Sequence, residues 1–279
     1  MRILFCGDVV GRPGRDAIAA HLPGLRRSLD LDFVVVNGEN AASGFGITDK
    51  ICRQLFEAGA DVITGGNHSW DQREVMAYIA SEPRLLRPHN FPAGTPGRGV
   101  GVFETRRGKK VLVLNVMGQL FMEDLDDPFA CIAAELARHR LGATVDAAVL
   151  DFHAEATSEK MAAGHFVDGR VSLCVGTHTH VPTADSMILS GGTAYQSDAG
   201  MCGDYDSVIG MDKTVPIERF VKKIKGERLS VAGGEGTLCA VFVETDDRTG
   251  LARRIAPVRL GGRLAETVPA LAEPGPASA

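Results

Sequence analysis

No apolar run in this 279-residue chain approaches the ~20 residues that a membrane-spanning helix needs. The opening residues are not expected to act as a secretory leader, because MRILFCGDVVG sets an acid at position 8, where an apolar core would run. No C-x-x-C pair occurs among the six cysteines. They are scattered through apolar stretches, which argues against a zinc knuckle or disulfide frame and for buried free thiols in a reduced compartment. Basic charge is also short. Thirty Lys and Arg face 35 Asp and Glu, for a net charge of −5, so no stable nucleic-acid complex is expected. A small anionic substrate remains admissible, since a bound metal inverts the local field. No internal repeat appears, and no linker is long enough to force a second domain. What is left, 44% hydrophobic and 23% charged, suits a globular protein with a sizeable core. A cytoplasmic location is expected, with residues 1–262 as one domain and 263–279 as a flexible C-terminal tail.

Short β-rich runs recur at 2–6, 33–36, 62–64, 111–115, 147–150 and 171–175. Continuous apolar runs of this length suit strands covered on both faces. Helical patterns fall between them. Thr48 is placed to cap a helix ending at Gly59, and Asp127-Pro128 opens another toward Arg140. Further helices are expected over 71–79 and 216–225. Two late strands, 236–244 and 251–258, are joined by a turn-rich loop and read as a hairpin. The alternation predicts an α/β sandwich with much parallel pairing.

The ends of these strands carry the chemistry. They read Gly7-Asp8, Asn37-Gly38-Glu39-Asn40, Gly65-Gly66-Asn67-His68, Asp151-Phe152-His153 and Gly176-Thr177-His178-Thr179-His180. Strand carboxyl ends share one edge of an α/β sheet, where ligands bind. Asp8 and Glu39 would repel one another there, and no Lys or Arg stands in these loops to offset them. Divalent metal ions resolve the conflict, and mixed imidazole, carboxylate and amide ligands suit iron, manganese or zinc better than magnesium or calcium. His178 and His180, two apart in an extended segment, would leave the backbone on opposite faces and reach two ions. Two ions ~3.5–4 Å apart form the clamp used in phosphoryl transfer.

Gly7-Asp8, Gly66-Asn67-His68 and His178-Thr179-His180 resemble the GD, GNH and H-x-H motifs of the calcineurin-like metallophosphoesterases. The fuller blocks resemble its bacterial YmdB-like branch of cyclic-nucleotide phosphodiesterases. These are GDVVGRPGR, NGENAASGFGIT, GGNHSWD, DFHAEATSEK, GTHTHVPTAD and SDAGMCG, in order from residue 1 to about 215. The resemblance implies an α/β/β/α sandwich of two mixed sheets flanked by helices. By position, it implies one metal ion on Asp8, Glu39, Asn40 and His180, and a second on Glu39, Asn67, His153 and His178. A metal-held hydroxide would attack a small phosphodiester, a 2′,3′- or 3′,5′-cyclic nucleotide foremost, with His68 as general acid. A homo-oligomer also enters by this resemblance alone.

Two departures from the broad superfamily pattern sharpen the branch. Position 10 is valine where D-x-H has histidine, and Glu39 stands where GD has aspartate. Asn40 is the candidate to replace the missing imidazole through its amide oxygen. Several residues stay open. The loop with Glu159 and Lys160 is either a phosphate contact or solvated charge, and Asp198 is either a hydrogen-bond partner of a metal-binding histidine or structural. Gly11-Arg-Pro-Gly-Arg15 lacks the G-K-[ST] of a P-loop and is set aside. His21, His89, His139 and His165 are read as surface or packing residues. A phosphomonoesterase or protein phosphatase, or a regulatory metal-binding protein acting through a partner, are the rival functions.

Overall fold

The computed structural model describes residues 1–224 and 226–271. In chain order its strands are β1 (Arg2–Cys6), β2 (Asp8–Val9), β3 (Phe33–Asn37), β4 (Val62–Thr64), β5 (Val100–Glu104), β6 (Lys110–Met117), β7 (Ala147–His153), β8 (Leu173–Thr177), β9 (Met187–Ile188), β10 (Ala194–Gln196), β11 (Met201–Cys202), β12 (Leu238–Thr245) and β13 (Ala252–Leu260). The helices are α1 (Gly11–Ser28), α2 (Asp49–Ala58), α3 (Val75–Ser81), α4 (Pro128–Arg138), α5 (Thr157–Phe166) and α6 (Thr214–Lys222). Five strands form one sheet in the order β13-β12-β1-β3-β4, and six form a second in the order β5-β6-β7-β8-β10-β9. The short pair β11-β2 stands apart.

The period of two along each strand builds the layers. Ile3 and Phe5 of β1 join Phe33, Val35 and Val62 on the inner face of the first sheet. They pack on Val111, Val113, Val149, Leu173 and Val175 of the second. Leu4, Cys6, Val34 and Val36 point the other way, onto Ile18, Leu22, Cys52 and Leu55 of α1 and α2. On the far side, Leu112, Leu114 and Leu150 pack on Ile132, Leu136 and Ala163 of α4 and α5. The result is the α/β/β/α sandwich of two mixed sheets, and strands buried on both faces explain the unbroken apolar runs.

The helix ends follow local chemistry. Thr48 Oγ1 accepts from Ile51 N at 3.3 Å, and Gly59 closes α2 at φ 117°. Asp127 Oδ1 accepts from the N–H groups of Phe129 and Ala130, ahead of Pro128. Helix α3 starts at Val75, later than the predicted Asp71, because residues 66–74 are spent on turns and Asp71 turns its carboxylate to His68. Helix α6 ends at Lys222, with Lys223 at φ 57°; the predicted end at residue 225 lies outside the described residues. Residues 263–271, read as part of the tail, run back along β13. Thr267 pairs with Arg259, and Leu271 rests on the core. The rest of that tail, 272–279, lies outside the described residues.

Candidate metal centre

Parallel pairing sets the strand ends in register. β1 runs beside β3 and β3 beside β4, with Cys6 opposite Val36 and Asn37 opposite Thr64. In the second sheet, Asp151 lies opposite Val175 and His153 opposite Thr177. Asp8, Glu39, Asn40, His153 and His180 are all buried, and Asn67 and His178 are half-buried. The structure brings all seven candidate ligands to one point between the sheets.

Within that cluster two groups stand out. Ligating atoms of Asp8, Glu39 and His180 lie within 4.8 Å of one another, as do those of Glu39, His153 and His178. Glu39 belongs to both. Glycines make room for the crowding. A Cβ on Gly66 would lie 2.2 Å from Glu39 Oε2 and 2.3 Å from His153 Nε2, and one on Gly7 would lie 1.8 Å from Gly200 O. The glycine of GNH is therefore a steric requirement of the ligand cluster, and that of GD one of the close approach of the backbone at Gly200.

Each histidine is oriented through its other nitrogen. Thr177 Oγ1 donates to Asp151 Oδ1 at 2.7 Å and so accepts from His153 Nδ1 at 2.8 Å. His153 Nε2 then faces Asn67 Oδ1 at 2.9 Å and Glu39 Oε2 at 3.2 Å. Asp151 is itself held by Thr64 Oγ1 and Asn37 Nδ2, at 2.6 and 3.0 Å. His180 Nδ1 donates to Ile209 O at 2.8 Å, leaving Nε2 toward the cluster. His178 Nε2 lies 3.1 Å from Glu155 Oε2, and its ring meets that of His153 edge-on at 4.9 Å.

The electrostatics are those of a site built for positive charge. Burial drives the Asp8 pKa well above the carboxylate range, and Asp198 and Glu39 add to the rise against the pull of His153. Burial also opposes a charge on Glu39, yet His153, His68 and His178 outweigh it and hold that carboxyl below its usual value. His153 is desolvated, but Glu39, Asp8 and Asp151 push it up to about 9. Burial and the neighbouring His153 press His178 down to about 3. Asp8 Oδ1 is buried with no hydrogen-bond partner among the described residues. An orphaned carboxylate oxygen beside two acid–histidine groups fits a bound cation.

Some expectations change in detail, and the residues left open are resolved. His178 and His180 do not sit in an extended segment. They take left-handed φ of 95° and 67° just past β8, and that bend, not strand alternation, sends them to different groups. Asn40 turns its amide nitrogen to Glu39 Oε1 (2.7 Å) and His180 Nε2 (3.1 Å), because both neighbours accept. A half-turn of the amide would present the oxygen instead. Lys160, read in a loop, is buried in α5 and pairs with Asp198 at 2.8 Å. Asp198 in turn accepts from Thr179 N and Oγ1 at 3.1 and 2.6 Å, so it holds the residue between the histidines rather than a histidine ring. Glu159 is also buried and accepts from Gln119 N and Leu120 N.

His68 sits on the rim, half-buried. Its backbone N–H reaches Glu39 Oε2 at 3.2 Å, Nδ1 lies 2.8 Å from Asp71 Oδ2, and its ring meets Phe45 edge-on at 5.1 Å. His89 and His139 lie instead beside Glu135. The sequence reading missed the supports Thr177, Asp151, Asp71 and Phe45. A signal existed for two of them: Asp151 shares a strand face with His153, two residues on, and Asp71 follows His68 by one helical turn's spacing.

The family described as YmdB-like protein matches residues 4–258. The chain belongs to the YmdB-like family. Among its relatives, the 2′,3′-cyclic-nucleotide 2′-phosphodiesterase of Bacillus subtilis is 48% identical over 258 residues, covering 91% of this chain and 95% of that protein. Two solved structures superpose with a TM-score of 0.87. One is a protein of Thermus thermophilus, 42% identical, with 94% of this chain and 100% of that one covered. The other is a phosphatase of Mycoplasma pneumoniae, 34% identical, with 94% and 93% covered.

Proposed function

We propose that this YmdB-like chain is a cytoplasmic, metal-dependent phosphodiesterase that hydrolyses small phosphodiesters, cyclic nucleotides foremost. The observation that carries the reading is the pair of acid–histidine groups sharing Glu39 beneath the half-buried His68. Asp8, Glu39, Asn40 and His180 would hold one ion, and Glu39, Asn67, His153 and His178 a second, with iron or manganese favoured by the ligand chemistry. Bound there, the ions lower the pKa of water and neutralise charge on a phosphoryl group. The chain's own part is positioning. The Asp151–Thr177 pair fixes His153, Ile209 O fixes His180, and Asp198 fixes the turn between His178 and His180. His68, held at Nδ1 by Asp71, would protonate the leaving oxygen from Nε2.

Elemental analysis of anaerobically purified protein, beside turnover of a cyclic-nucleotide panel, tests this directly. Metal-replete protein that cleaves no member of the panel overturns it. A phosphomonoesterase is the second reading, favoured by the Mycoplasma pneumoniae relative being a phosphatase. Turnover of a bis-ester and a mono-ester of one chromogenic phenol separates the two.

A further inference from the structure

A sizeable cavity among the described residues lies beside the metal centre rather than over it. It measures about 810 Å³, and its wall includes Arg12 and Arg15 from the start of α1, Phe45, and Arg228. A second hollow of about 420 Å³ shares Phe45 and Arg228 with it and adds Arg219 and Asp71. The two form one trench, and Asp71 and Phe45 are the residues that hold His68 at Nδ1 and meet its ring edge-on. The trench therefore begins at the rim of the centre.

Its charge is opposite to that of the whole chain. Four arginines face two carboxylates; Asp16 pairs with Arg12 within the trench at 3.2 Å and Asp71 is turned to His68, so three arginines remain without a carboxylate. Arg15, Arg219 and Arg228 form no ion pair among the described residues, and Arg219 Nε is buried without a hydrogen-bond partner. Guanidinium groups beside a half-buried aromatic ring are the elements that track a nucleic-acid backbone and stack a base. A cyclic mononucleotide has a single phosphate, and the centre takes it. It offers these arginines no anion.

We propose that the trench is a subsite for the flanking phosphates of a short oligoribonucleotide whose terminal phosphodiester lies at the metal centre, with Phe45 as a platform for a base and Arg12 and Arg228 as phosphate contacts. The inference rests on the phosphodiesterase reading and extends it from mononucleotides to RNA ends. The overall charge of −5 keeps such an encounter brief.

The test uses metal-loaded full-length protein and two substrates, a 2′,3′-cyclic mononucleotide and a trinucleotide bearing the same 2′,3′-cyclic end. The trinucleotide is expected to show kcat/KM about tenfold higher or more. An Arg12→Ala/Arg228→Ala variant, altered only on exposed side chains, is expected to lose that advantage and leave mononucleotide turnover unchanged. The salt slope of trinucleotide binding should fall by about one per arginine removed. Equal kcat/KM for the two substrates, or equal losses on both in the variant, overturns the subsite. Anisotropy of a labelled trinucleotide carrying a 3′-phosphate reads binding without turnover. Arginine-dependent binding in protein that cleaves neither substrate upholds the subsite and overturns the phosphodiesterase reading. Cleavage with arginine-independent binding does the reverse.

Discussion

At the scale of single residues, the centre divides into groups that face the ligand point and groups that aim them. Glu39→Gln removes the charge shared by both acid–histidine groups, so metal content and turnover are both expected to vanish. His68→Ala leaves the cluster intact and is expected to keep its metal while kcat falls ~10²–10⁴-fold, the usual worth of a positioned acid. Elemental analysis beside steady-state rates checks both variants, and full activity in His68→Ala would remove that residue from the acid role. Thr177→Val cuts the link between Asp151 and His153 without touching the ligand point. It is expected to weaken metal binding ~10–100-fold, read by competition with a chelator. Most of this first rank was legible in the sequence, because each candidate ligand stands within five residues of the end of an apolar run. The aiming groups were harder to see. Thr177 looks like any β-branched strand residue, and Ile209 contributes only a backbone carbonyl, which no side-chain pattern marks.

At the scale of elements, α5 shows why a helix escaped the pattern. Its inward face carries Glu159, Lys160, Ala163 and Gly164, so it has no apolar stripe to read. Burying that face demands partners. Glu159 caps the turn at 119–120, while Lys160 reaches Asp198 and through it Thr179. Lys160→Met would leave Asp198 a buried carboxylate without its countercharge, at an expected cost of about 3–5 kcal/mol in denaturant unfolding. Lys160→Met/Asp198→Asn removes the uncompensated charge and should recover part of that loss. If the single variant unfolds at the native midpoint, the pair is not what fastens α5 to the 177–180 turn. By contrast α2 and α4 were readable to within two residues at each end, since Thr48, Gly59 and Asp127-Pro128 mark termini by chemistry that no distant contact can override.

At the scale of the whole molecule, the packed layers bury free thiols rather than disulfides. Cys6, Cys52, Cys174, Cys202 and Cys239 are free and buried. Burial pushes each thiol above its ordinary value near 9, Cys239 to about 11 and Cys52 to about 12. The folded state keeps these protons while the unfolded chain releases them. Their contribution is thus complete below pH 9 and drains away above it, by about 1.4 kcal/mol per pH unit for each thiol up to its folded value. Denaturant midpoints at pH 8 and pH 10 should differ accordingly, and Cys52→Ala should flatten the alkaline limb. A stability profile level from pH 8 to 10 would contradict the burial of these groups. The bend at His178 and His180 bears on this scale too. Two left-handed histidines, pinned by Asp198 through Thr179 and by Ile209, take their torsions from the fold rather than from an ion. The spacing between the two groups is then inherited, like the gauge of a railway. Under the proposed reading, iron, manganese or zinc would each have to fit a frame already laid, so discrimination among them would fall to ionic radius and to what the surroundings supply.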